Sequence, residues 1–154
     1  MIRTLLLVVG ALLMTATSAV GQQHVTGTVH VQPIEIDLHL QHDTVQAGRS
    51  TRVQAVVRNH GTGPLTDATA TLLAAPGGIH VRPDPVVTLG TVEGGGVQRI
   101  TWQACGEAAG PDAVSYVLLV HVRATAADGR ELTVESTART LTVTPARRAA
   151  SCGG

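Results

Sequence analysis

Polar and apolar residues alternate along most of this chain. In "IEIDLHL" the apolar set is Ile34, Ile36, Leu38 and Leu40, with Glu35, Asp37 and His39 between them. The same step of two places Val53, Ala55 and Val57 on one face, then Ala68, Ala70 and Leu72, then Ile100 and Trp102. Tyr116, Leu118, Val120, Val122 and Ala124 continue it. In "ELTVESTARTLTV" the apolar set moves from Leu132 and Val134 to Leu141 and Val143, a change of phase that predicts a bulge near Ser136 to Arg139. Alternation over many short runs is the pattern of half-buried strands, and no window carries a helical period as strongly.

Turn residues separate the runs at short, similar intervals. They are Ala47-Gly48, Asn59-His60-Gly61, Pro76-Gly77-Gly78, Gly94 to Gly96, and Asp128-Gly129 between two alternating runs. Asn59 is the only asparagine, and at the end of a strand it predicts a left-handed corner that Gly61 and Gly63 share. About seven or eight strands with no helix predict a β-sandwich. An earlier run, "VTGTVHV", stops at Pro33 and reads as an edge strand. Its Val25, Thr26, Thr28, Val29 and Val31 form the candidate binding edge.

The start of the chain changes the picture. Met1-Ile2-Arg3 and a short apolar run lead to small residues ending at Gly21, the layout of a secretory signal peptide over 1–21. The organisation expected from this is a linker or edge strand at 22–33, a sandwich at 34–144 and a loose tail at 145–154. Export to the periplasm or the extracellular space follows, with no membrane span after signal removal. All eleven basic residues are arginine, phenylalanine is absent, and Trp102 and Tyr116 are the only large aromatics. The core must then come from Val, Leu, Ile and Ala, with those two rings as packing. A net charge of zero leaves no basic face for nucleic acid.

The stretches "VQAGRSTRVQAVVRNHGTGPLTDATATLL", "LGTVEGGGVQRITWQA" and "YVLLVHVRATAADGRE" carry a V-x-x-G opening, a V-x-N-x-G corner and an LG-x-V-x-x-G turn before a strand with tryptophan. In these the chain resembles bacterial immunoglobulin-like domains of the CARDB and α-galactosidase-associated type, over roughly Ile34 to Val143. The resemblance implies an all-β, immunoglobulin-like antiparallel sandwich. It also implies adhesion, spacing or substrate-holding work, and it transfers no catalytic residue.

Three groups of residues invite chemistry. Seven histidines stand among carboxylates, and His24, His39 and His42 are the candidate metal ligands. A two-residue step on a strand spreads ligands about 7 Å apart, too wide for one ion without a neighbouring strand. A cut before Gln22 would expose Gln-Gln-His, whose free amine and third-place His24 could chelate copper or nickel. Cys105 and Cys152 predict a disulfide in an exported chain, pinning the tail to the sandwich; the alternative is a link from Cys152 to a partner chain. Ser115, His121 and Asp112 lack a nucleophile elbow or oxyanion turn, so no enzyme is expected. The expectation is a non-enzymatic module without a cofactor that contacts another envelope or extracellular protein by strand addition or through loops. The rival is an exported metal-binding protein that uses the histidines.

Overall fold

Each alternating run becomes a strand, because a strand with one apolar face lowers its free energy by laying that face on another. The computed structural model describes residues 33–107, 110–146 and 151–152. The strands are β1 (Ile34–Leu40), β2 (Thr44–Gln46), β3 (Ser50–Asn59), β4 (Leu65–Ala75), β5 (Ile79–Arg82), β6 (Val86–Val92), β7 (Val97–Gly106), β8 (Val114–Thr125), β9 (Glu131–Glu135) and β10 (Arg139–Thr144). One sheet has the order β1-β3-β7-β5. The other runs β2-β10-β8-β4-β6, with β9 also paired to β8.

Ten strands replace the seven or eight expected. β2 and β5 span only three and four residues, too few for a period to show. The expected strand at Val25 to Val31 lies outside the described residues. One pairing is parallel, β2 on β10, and the other pairings are antiparallel. The change of phase after Val134 is a one-residue slip. From His121 to Leu118 on β8 is three steps, while their partners Glu135 and Arg139 are four apart. Ser136 holds the slip, its hydroxyl accepting the Val120 N–H at 2.9 Å.

The inward faces meet as the alternation dictates. Val53, Ala55, Val57, Ile100 and Trp102 of the four-stranded sheet face Ala70, Leu72, Leu118, Val120, Val122 and Leu141 of the other, all within the core. Most of these side chains are small, so the core is thin and Trp102 is its largest member, fully buried. Tyr116 is also buried and donates its hydroxyl to the Glu107 carbonyl at 2.8 Å.

Twice the chain passes from one sheet to the other without a reversal, between β1 and β2 and between β5 and β6. The second crossing is Pro83-Asp84-Pro85. Two prolines have no N–H to give a ladder, so the β5 pairing must end there. The freed backbone is satisfied from elsewhere. The Trp102 indole N–H donates to the Asp84 carbonyl at 3.0 Å, and Leu72 N–H to the Pro85 carbonyl at 2.9 Å. Trp102 thus fills the core and fastens the crossing. Replacing it by phenylalanine (Trp102→Phe) removes core volume and leaves the Asp84 carbonyl unpaired, and should cost about 2–4 kcal/mol. Urea unfolding followed by circular dichroism checks this, since the variant has no tryptophan; a loss under about 1 kcal/mol would remove Trp102 from this role.

Candidate functional site

The Asn59 corner is a real corner, held differently from what the sequence suggested. Asn59 does not adopt a left-handed backbone, and neither do Gly61 and Gly63; among the described residues the one non-glycine at positive φ is Asp67, at 51°. The side chain of Asn59 does the holding. Its amide group donates to the carbonyls of Gly63 at 2.9 Å, Val92 at 3.0 Å and Glu93 at 3.1 Å, and its oxygen accepts the Gly61 N–H at 2.9 Å. The backbone adds Asn59 N–H to the Gly96 carbonyl and Gly95 N–H to the Asn59 carbonyl. One buried residue therefore binds the β3–β4 corner to the β6–β7 turn, joining the two sheets at this pole. Such a close approach excludes a side chain at Gly94, where a Cβ would stand 2.4 Å from the Thr62 carbonyl oxygen. It is a structural corner.

The polar face of β1 is occupied with its neighbour. The Asp37 carboxylate pairs with the Arg58 guanidinium, which holds Asp37 below the usual carboxylate range and raises Arg58. Glu35 pairs with His60. His39 and His42 are exposed, and neither belongs to a group of three metal-capable side chains among the described residues. His24 and the edge residues Val25, Thr26, Thr28, Val29 and Val31 lie outside the described residues. Ser115 and His121 sit six positions apart on β8, about 20 Å at strand rise.

At the opposite pole the tail returns. Cys105, near the end of β7, is bonded to Cys152 across 47 residues of sequence. His80 on β5 stands opposite Cys105, and its Nε2 lies 3.3 Å from a Glu107 carboxylate oxygen. The ligand atoms of His80, Glu107 and Cys152 all fall within 4.8 Å of one another. Sequence reasoning found the bridge and missed this grouping, since only the β5–β7 pairing brings His80 to the cysteines.

The outer face of the larger sheet is the other unexpected feature. An antiparallel sheet usually turns polar residues outward. Here Leu73, Val86 and Val117 are 43%, 50% and 46% exposed. They are neighbours: Leu73 lies opposite Leu119, two residues from Val117, and Val86 lies opposite Thr71, two residues from Leu73. A diagonal apolar band thus runs across β6, β4 and β8. The sequence held a signal for it. Leu72-Leu73, Val86-Val87 and Val117-Leu118-Leu119 are apolar at both parities, and a strand apolar at both parities has two apolar faces.

No protein-family model matches the chain, and no curated protein matches it in sequence. Solved structures do match in shape. A region of Escherichia coli alpha-2-macroglobulin aligns with 74% of this chain at a TM-score of 0.55 and 15% identity. The chain corresponds to only 7% of that protein's length. The major pilin subunit of Bacillus cereus aligns over 73% of this chain and 40% of its own, with a TM-score of 0.49 and 11% identity. A Salmonella enterica pilin–chaperone complex aligns over 73% and 55%, with a TM-score of 0.43 and 16% identity. The fold is an immunoglobulin-like β-sandwich. At such identities the likeness is one of fold.

Two measurements test the poles. Asn59→Ala takes the amide's bonds from the Gly63, Val92 and Glu93 carbonyls and the Gly61 N–H, leaving Glu93 only its bond from the Gly96 N–H. It should cost about 3 kcal/mol in urea unfolding read by Trp102 emission; a loss below about 1 kcal/mol would mean the corner holds without the amide. Reduction of the bridge should lower stability by about 4 kcal/mol in the chain-entropy account, for a loop set by the 47-residue separation. Matched unfolding curves with and without reductant read this directly, and superimposable curves would show that the tail contributes nothing.

Proposed function

We propose that this chain is an exported, non-enzymatic immunoglobulin-like module that binds another envelope or extracellular protein through the outer face of its larger sheet. The observation that carries the reading is the band of Leu73, Val86 and Val117, left exposed where an isolated sandwich would place polar side chains. About half of each of these side chains stays in water after folding, and that exposed area adds nothing to the core. Burial against a partner would return roughly 25 cal/mol for each Å² removed from water.

Export is supported by two features. The first residues have the order of a signal peptide, and Cys105 and Cys152 are joined by a disulfide that suits an oxidising compartment. The resemblance to CARDB-type domains fits an adhesive or substrate-holding role. Strand addition at Val25 to Val31 is a second contact within the same reading.

Charging the band separates binding from folding. Leu73→Glu with Val117→Glu should change the unfolding free energy in urea by no more than about 1 kcal/mol, since both side chains are already about half in water. The same variant should lose partner capture from the exported fraction of the source cells. A chain lacking residues 25–31 tests the second contact in the same experiment. Capture that survives the paired glutamates would refute the outer face as the binding surface.

A further inference from the structure

We infer that the disulfide pole is a latent zinc site, formed when reduction of the Cys105–Cys152 bridge frees two thiolates beside His80 and Glu107. The four residues are brought together by register and by the returning tail. His80 stands opposite Cys105 in the β5–β7 pairing. Glu107 lies just past the end of β7, with its carboxylate 3.3 Å from His80 Nε2. Cys152 arrives covalently, so its sulfur shares the spread of 4.8 Å with the His80 and Glu107 ligand atoms, and Cys105 sulfur is bonded to it.

The donor set selects the ion. Two thiolates, one imidazole and one carboxylate suit a tetrahedral, borderline-soft cation, with Zn–S near ~2.3 Å and Zn–N or Zn–O near ~2.0–2.2 Å. Tetrahedral geometry at those lengths places ligand atoms roughly 3.3–3.8 Å from one another. His80 and Glu107 already stand at 3.3 Å. Once the bridge is reduced, tetrahedral zinc calls for the two sulfurs about 3.8 Å apart. In the bridged state neither sulfur can act as a thiolate, and a lone histidine–carboxylate pair is a weak metal site.

The chemistry balances with an external dithiol. Two electrons and two protons pass from the dithiol to the bridge, which becomes two thiols while the dithiol becomes a disulfide. Zinc then displaces one proton from each thiol to water. Two thiolates and a carboxylate against the divalent ion leave one negative charge. Arg82, which lines the same hollow with Gln103 and both cysteines, stands where it can offset that charge. The same two cysteines therefore act as a staple when oxidised and as metal ligands when reduced.

The test uses the full exported chain, bridged or reduced by a phosphine under inert gas, titrated with Zn2+ against a chromophoric chelator. The reduced chain should take up a single ion that shields both cysteines from alkylation, and Co2+ in its place should give a tetrahedral thiolate spectrum. His80→Ala combined with Glu107→Gln should weaken uptake on the order of 100-fold, while His39→Ala with His42→Ala should not change it. Equal affinity in the bridged chain, or unchanged affinity in the His80/Glu107 variant, would overturn the assignment. So would Trp102 emission of an unfolded chain after reduction, because the site needs the β5–β7 pairing.

Discussion

The buried amide of Asn59 is the interaction on which the two-sheet arrangement most depends. Packing between the sheets is non-directional, and small side chains can slide past one another at modest cost. A primary amide cannot slide, because each of its hydrogen bonds is lost beyond a few tenths of an ångström. By joining the ends of β3 and β6 and the corner at Gly63, Asn59 fixes how one sheet sits on the other. The low content of large side chains makes that fixing necessary. A core with one tryptophan, one tyrosine and no phenylalanine has few bulky shapes to interlock.

Polar anchoring recurs at several points of the framework. The Trp102 indole holds the Pro83–Pro85 crossing, the Tyr116 hydroxyl holds the backbone past β7, and Arg139 donates to the Leu38 carbonyl at 3.0 Å on the edge strand β1. The last contact also protects that edge, since a guanidinium on a carbonyl that no strand among the described residues pairs hinders pairing with a foreign strand. No buried side-chain polar atom among the described residues is left without a partner. Each bond supplies direction that the aliphatic core lacks. The hairpin at Asp128-Gly129 works by geometry instead, Gly129 taking φ of 82° so that Ala126 N–H can reach the Arg130 carbonyl.

Against this satisfied framework the outer face of the larger sheet and the disulfide pole stand out. The first carries apolar surface that folding does not use. The second gathers metal-capable groups where a tail staple alone would need only two cysteines. The first lies on the β6–β4–β8 pairings and the second on the β5–β7 pairing with Cys152 bonded to it, so the strand register sets which side chains are neighbours.

The period of two determined β1, β3, β4, β7, β8, β9 and β10, their inward residues and the slip after Val134, because strand geometry is local and reads directly from residue spacing. Two cysteines in a chain with a signal-like start predicted the Cys105–Cys152 bridge with a link to a partner chain as the alternative, and the structure joins them within the chain. Other features required the tertiary structure. Which strands lie side by side is a matter of long-range pairing, so nothing in the sequence set His80 opposite Cys105. The alternation reading followed one parity per strand, and the second apolar parity at Leu73, Val86 and Val117 became a surface only when β6, β4 and β8 stood together. Asn59 shows the limit most plainly. Local rules supply a corner at that position, but the three carbonyls that make it indispensable come from residues up to 34 positions away.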